Sequence, residues 1–200
     1  MKKKELEIKL QSVPDFSNPK PSLEQYLTPA NIASDIIFTA FQFEDIKNKN
    51  VVDLGCGTGI FSVGVLITGA KQITGIDIDK ECIEIAKDYA EKNKMNIEFL
   101  VEDIDNYHNN VDTVIMNPPF GAQKSNLKAD RSFIEKGFEI ADVIYSLHLT
   151  KTVSFIEKLV NSLNGVINYS KEYTFPIKWM FDFHKKKEVK FDVTLLRITT

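Results

Sequence analysis

Asn117-Pro118-Pro119-Phe120-Gly121 follows directly on an apolar run at residues 111–116. Two consecutive prolines donate no backbone hydrogen bond and fix their own φ, so a strand ending there must stop on a stiff edge. The Asn117 side-chain oxygen and the Pro118 carbonyl are then acceptors held at the carboxyl end of that strand. Such a pair suits a planar exocyclic amine or carboxamide, whose nitrogen lone pair is delocalised and whose N–H groups must be held. Each hydrogen bond contributes only about 0.5–1.5 kcal/mol net, whereas alignment for attack can supply roughly 7–11 kcal/mol. Positioning therefore dominates, and a loop without His or Glu is adequate. Phe120 is expected to stack on a flipped planar base, a contact worth about 1–3 kcal/mol.

A second constellation lies upstream. The run VVDLGCGTGI takes a buried strand into Gly55-Cys56-Gly57-Thr58-Gly59 and then a helix. Glycines suit this turn because the chain bends tightly and a ligand must approach the backbone without meeting a Cβ. Asp77 ends the next strand 22 positions after Gly55, where a carboxylate can accept from both hydroxyls of a ribose. A dinucleotide fingerprint needs a third glycine at position 60, which is Ile60. GxGxG preceded by Asp53 instead resembles motif I of class I S-adenosylmethionine-dependent methyltransferases. That resemblance implies that Asp53 orients the methionine end, that Gly55, Gly57 and Gly59 pass under the cofactor, and that Asp77 holds the ribose. It also places Asp103 at the adenine amino group, with Ile104 packing on the ring. Cys56 and Cys82 read as packing residues.

These groups must be positioned by an α/β framework. Strands are predicted at residues 51–54, 72–77, 97–101, 111–116, 142–147, 166–175 and 189–198. Helices are predicted at 59–68, 80–93 with Asp79 as cap, 131–141 and 151–163. A further helical signal covers 29–43, and a Pro-punctuated segment runs from Pro14 to Pro21. The expected fold is a Rossmann-like class I methyltransferase, a seven-stranded, mostly parallel sheet with helices on both faces. One domain is expected over residues 1–200, with 1–48 as an N-terminal helical segment closing over the cofactor and 49–200 as the core. First and fourth strands then adjoin at the topological switch point, setting Gly57 and Asn117 on opposite sides of one crevice.

The sequence after the fourth strand resembles the [DNS]PP[YFW] signature of amino-group methyltransferases acting on adenine N6, cytosine N4 or glutamine N5. SLEQYLTP (22–29), IYSLH (144–148) and FPIKWMFDFHKKK (175–187) join DLGCGTG, GIDID and NPPFG in order. Together they are similar to the methyltransferase-like protein 5 family and its archaeal relatives, over residues 23 to about 190. The resemblance implies methyl transfer to adenine N6 of small-subunit ribosomal RNA, with S-adenosylmethionine as cofactor. It implies that Gln25 and Thr28 close over the cofactor and that Gly55, Thr58, Ile60, Asp77, Asp103 and Ile104 line its pocket. Asn117, Pro118, Pro119 and Phe120 would form the catalytic loop, with Asn117 also a cofactor-binding residue. A small zinc-containing activator protein at the sheet edge is a further implied partner. Leu27, where relatives often carry Pro, and Thr58, where some carry Cys, depart from the family pattern. The alternative is a release-factor-type glutamine-N5 methyltransferase; that group prefers Tyr after the two prolines and carries a larger N-terminal helical region.

Tyr145, Leu147, Phe175, Trp179, Phe181 and Phe183 read as core aromatics and aliphatics. His148 and His184 read as structural or RNA-facing, and His108 as solvent-facing. The 200 residues hold 25 Lys+Arg against 28 Asp+Glu, a formal charge of −3, which excludes a uniformly basic nucleic-acid coat. The charge is unevenly spread: residues 72–112 hold 11 acids and 4 bases, whereas 171–200 hold 7 bases and 4 acids. Lys185-Lys186-Lys187 is therefore a candidate contact for RNA phosphate. Two cysteines cannot make a disulfide framework, and no Cys/His spacing fits a metal site. The charged opening MKKKELEIKL and the absence of an 18-residue apolar run predict a cytoplasmic protein without membrane contact.

Overall fold

The computed structural model describes residues 1–120, 129–178 and 188–200. Lys185, Lys186, Lys187, Trp179, Phe181, Phe183 and His184 lie outside the described residues. Seven strands are described: β1 Asn50–Leu54, β2 Gln72–Asp77, β3 Glu98–Val101, β4 Val111–Met116, β5 Ala141–Leu149, β6 Val166–Lys178 and β7 Glu188–Thr199. Six helices accompany them: α1 Lys3–Leu10, α2 Ala30–Gln42, α3 Ile60–Ile67, α4 Lys80–Lys92, α5 Ala129–Ile140 and α6 Val153–Ser162. They form one sheet of order β3-β2-β1-β4-β5-β7-β6. The first five in that order pair in parallel, and β7 runs antiparallel between β5 and β6. The expected seven-stranded, mostly parallel α/β sheet is thus the observed one, with β1 and β4 side by side.

Alternation along the strands separates two cores. Val51, Ile73, Ile115 and Tyr145 pack with α1, α2 and α3, while Val52, Val114, Met116 and Ile144 pack with residues of α5 and α6. Helices therefore cover both faces, as parallel strands require. Asp79 caps α4 as its sequence position suggested, its side chain accepting the Glu81 N–H at 3.1 Å. Helix α1 had no sequence counterpart. Only Leu6 and Leu10 of its eight residues are buried, too few for an amphipathic signal amid Lys and Glu. Its register is fixed from outside, by packing on α2 and α3.

Asp35 on α2 draws these layers together. It accepts from Lys3 Nζ at 2.7 Å, Lys171 Nζ at 2.6 Å and the Tyr173 hydroxyl at 2.8 Å. Burial pushes its carboxyl up, but Lys171, Lys3 and Tyr173 outweigh that and hold it at about 2. Because the folded value lies below the unfolded 3.8, the stabilisation is present above pH 3.8 and is lost as pH falls through about 2. Both lysines are more than 40% exposed, so screening keeps the effect small. Asp35→Asn is expected to cost about 1–2 kcal/mol at pH 7 in urea unfolding, the difference from wild type closing in strong acid. An equal cost at pH 7 and pH 2 would remove the charge from this account.

Candidate active site

The carboxyl ends of β1 and β4 open onto a cavity of about 310 Å³, within the range that holds a small ligand. One wall is the glycine turn. Gly55 and Gly57 have φ of +68° and +54°, the left-handed region that favours glycine. A Cβ on Gly57 would come within 2.9 Å of the Phe16 ring, and one on Gly55 within 3.1 Å of Phe133. Two aromatic rings thus press against the turn, one from the N-terminal segment and one from α5. The Thr58 hydroxyl donates to the Pro14 carbonyl at 2.7 Å, tying that segment down.

Asp77 stands at the end of β2 and holds the turn in shape. Its Oδ2 accepts the Gly57 N–H at 2.8 Å and its Oδ1 the Asp79 N–H at 2.9 Å. Burial pushes this carboxyl above the usual carboxylate range, against those hydrogen bonds, so further donors arriving at it would be stabilising. Five carboxylates, Glu24, Asp77, Glu102, Asp103 and Asp105, line the cavity. This lining suits a cationic ligand.

Asn117 and Pro119, from the loop after β4, line the same cavity as Gly57. Asn117 Nδ2 donates to Thr28 Oγ1 at 3.1 Å, and its Oδ1 is buried with no partner among the described residues. Gln25 and Thr28 both line the cavity. Gln25 spends its side-chain amide elsewhere, donating to Asp79 Oδ2 at 2.7 Å and accepting the Lys20 N–H at 2.8 Å. Lys20, Gln25 and the Glu81 N–H overcome the upward push of burial and keep Asp79 below the usual carboxylate range. Ile60 and Ile104 also line the cavity, and Asp103 Oδ1 accepts from Asp105 N at 3.0 Å.

Four expected contacts lie outside the lining, each for a packing reason. Asp53 is 1% exposed and turns toward α3, where its Oδ2 accepts the Ser62 hydroxyl at 2.6 Å and N–H at 2.9 Å. Gly59 precedes α3 at φ +89°; a Cβ there would meet the Phe99 ring at 3.0 Å, so this glycine serves packing. Pro118 is buried. Phe120 is 7% exposed, its ring 5.4 Å from Tyr26 and 6.1 Å from Phe175. In this conformation it supports the loop rather than offering an open face to a base.

Phe16, Tyr26, Phe61, Glu102 and Phe133 line the cavity without having been singled out in the sequence. Phe16 sits in a segment with no periodicity, and Phe133 looks like any apolar residue of an amphipathic helix. Helix α5 is braced at both ends. The buried Lys136 ammonium donates to the Tyr107 carbonyl at 3.0 Å and to Glu139 at 2.8 Å. His148, fully buried on β5, joins Asp130 Oδ1 at 2.7 Å through Nδ1 and Ser146 Oγ at 2.7 Å through Nε2. These contacts have the connectivity of a Ser-His-Asp relay, but Ser146 is fully buried and outside the cavity lining, so the group is structural. Cys56 and Cys82 are buried, and burial raises both thiols, leaving them unreactive.

Residues 29–141 match the family model described as Methyltransferase small domain. The rRNA N(6)-adenosine-methyltransferase METTL5 of Danio rerio is 38% identical, covering 100% of this chain and 99% of its own length. The chain belongs to the METTL5 family. A Drosophila melanogaster member, also named an rRNA N(6)-adenosine-methyltransferase, is 34% identical over 98% of this chain and 96% of its own. The crystal structure of PH1948 from Pyrococcus horikoshii superposes with a TM-score of 0.92 at 39% identity, covering 100% of this chain and 98% of that one. This METTL5-family chain is an S-adenosylmethionine-dependent methyltransferase. The cavity fits that cofactor: a glycine turn against which only Cβ-free residues fit, a buried carboxylate at Asp77 in the lining and further acids there for a cation. Among the described residues, no helix of this METTL5-family protein is long and apolar enough to cross a membrane, and no group of three or more His, Cys, Asp or Glu could hold a metal ion.

Proposed function

We propose that the protein methylates N6 of an adenosine in ribosomal RNA, of the small subunit. The observation that carries this reading is the buried, unpartnered Asn117 Oδ1 beside a cavity formed between the glycine turn and the β4 loop. An acceptor left unpaired in this way costs about 1–3 kcal/mol. An incoming N–H removes that cost.

In this reading Gly55, Gly57, Thr58, Ile60, Asp77, Asp103 and Ile104 hold the cofactor, which supplies an electrophilic methyl group on a sulfonium. Asp53 acts behind them, fixing the start of α3 under the turn. Asn117 Oδ1 and the Pro118 carbonyl hold the adenine amino group with its lone pair directed at the methyl carbon. Pro119 keeps the loop stiff, and Phe120, backed by Tyr26 and Phe175, sets its height. No histidine is among the described residues lining the cavity, so the amino proton leaves to solvent or to a nearby carboxylate after transfer. The same loop chemistry would serve a glutamine carboxamide. Phe rather than Tyr at position 120 favours the nucleic-acid substrate.

RNA phosphate is assigned to Lys185, Lys186 and Lys187, which lie in sequence between β6 and β7. Strand β6 reaches the catalytic loop, where Phe175 packs on Phe120. A small zinc-containing activator is assigned to the sheet edge at β3, beside which Val101 and Ile78 are exposed. Size-exclusion chromatography with and without such a partner tests this part; full activity and stability of the isolated chain would remove it. The reaction itself is tested with labelled S-adenosylmethionine supplied with deproteinised small- or large-subunit rRNA, release factor or duplex DNA, followed by digestion. N6-methyladenosine from small-subunit rRNA is the expected product. Label recovered as N5-methylglutamine, or only from the large subunit, overturns the respective part.

A further inference from the structure

The geometry points to Thr28 as a positioning residue for the transfer step, its hydroxyl holding the Asn117 amide so that Oδ1 is kept as the acceptor. This rests on the methyl-transfer reading of Asn117 and goes beyond cofactor closure as the role of Thr28.

An Asn amide has two ends that differ only in hydrogen bonding, and a free side chain rotates between them. Only the orientation offering Oδ1 to the substrate can hold an amine. Asn117 Nδ2 donates to Thr28 Oγ1 at 3.1 Å while Oδ1 is buried without a partner. Among the described residues, the contact made by this amide therefore occupies its donor end and spares its acceptor end.

Thr28 is built to do this. It is 3% exposed, and its β-branched side chain has few rotamers to choose among. It precedes Pro29, which restricts its backbone to extended conformations. Pro29 in turn caps α2, so the hydroxyl sits at the rigid start of a 13-residue helix. Two residues earlier, Tyr26 packs on Phe120 with ring centroids 5.4 Å apart. Three residues earlier, Gln25 donates to Asp79 at 2.7 Å, beside the ribose-side acid Asp77. The strip 25–28 thus spans from the cofactor acids to the catalytic loop. Hydrogen-bond loss at Thr28 disturbs the loop end of that span and leaves the Gln25–Asp79 end intact.

Thr28→Val keeps the shape and removes the hydroxyl; Thr28→Ser keeps the hydroxyl. The first readout needs no substrate. The side-chain amide protons of Asn117, assigned by their disappearance in Asn117→Ala, are followed by nitrogen–proton NMR. Thr28→Val should shift the bonded proton upfield and speed its exchange, and Thr28→Ser should restore both. The second readout is turnover of rRNA with labelled cofactor. Thr28→Val should lower kcat about 10-fold, a larger factor than any rise in cofactor Kd measured by calorimetry. Thr28→Ser should recover most of the rate. In an Asn117→Ala background Thr28→Val should have no further effect on rate. Unaltered Asn117 amide signals in Thr28→Val overturn the inference, as does a Kd that rises by the whole factor lost in kcat/KM. Wild-type enzyme that fails to label rRNA overturns the functional reading, and the NMR readout then decides the Thr28 contact separately.

Discussion

Asn117→Ala is expected to lower the rate of methyl transfer by about 10²–10³-fold while leaving cofactor affinity, measured by calorimetry, within about 2-fold. The asymmetry follows from where Asn117 sits. Among the described residues, its amide hydrogen-bonds Thr28 and neither the glycine turn nor Asp77. Removing it takes away the acceptor that aligns the amine, and lost alignment costs far more than one hydrogen bond. Asn117→Asp is a sharper companion variant: it restores an acceptor but replaces the Nδ2 donor that Thr28 receives. Turnover unchanged in Asn117→Ala would remove this residue from the mechanism. A parallel loss of cofactor binding would instead make it part of the cofactor site.

Asp53→Asn is expected to stabilise the protein in a pH-dependent way. Burial pushes the Asp53 carboxyl from 3.8 up to about 7, against both hydrogen bonds from Ser62, and the charge of Asp77 adds to the rise. A folded value above the unfolded one means that the folded state binds the proton more tightly. The associated stability is fully present below about pH 4 and is gone once pH has risen through about 7. At 1.36 kcal/mol per pH unit, a rise from 3.8 to about 7 corresponds to about 4 kcal/mol, an upper figure because structural relaxation softens it. Asn carries no such charge and still offers an oxygen to Ser62. In urea unfolding, Asp53→Asn should exceed wild type by roughly 2–3 kcal/mol at pH 8, the gap narrowing steadily toward pH 5. A gap that is constant across this range, or that widens toward acid, would show that Asp53 is not a buried titrating carboxylate.

The path from residues to structure was clearest where chemistry restricts the backbone. Positive φ admits few residues besides glycine, proline fixes its own φ after a strand, and a capping Asp satisfies a first-turn N–H, so β1, β4 and α4 begin or end where their residues require. It was least clear where a residue acts through a distant partner. Phe16 covers Gly57 from 41 positions away in sequence, and Lys136 binds the Tyr107 carbonyl from 29. His148 illustrates the same limit: a histidine within YSLH is equally compatible with surface and core until β5 is placed between β4 and β7.

The order of motifs along the chain was enough to establish the α/β class and the family, and short-range steric rules on neighbouring residues set the glycine turn and the end of β4. Which expected residues face the cavity was decided only by the tertiary structure. Asp53, Gly59 and Asp77 are all close to the glycine turn, yet one accepts from Ser62 in the first turn of α3, one makes room for Phe99 and one lines the cavity. Side chains on a strand alternate faces, and a turn can send adjacent residues in opposite directions. Burial against α3, α4 and the N-terminal segment then sets those directions, and no local pattern encodes that packing.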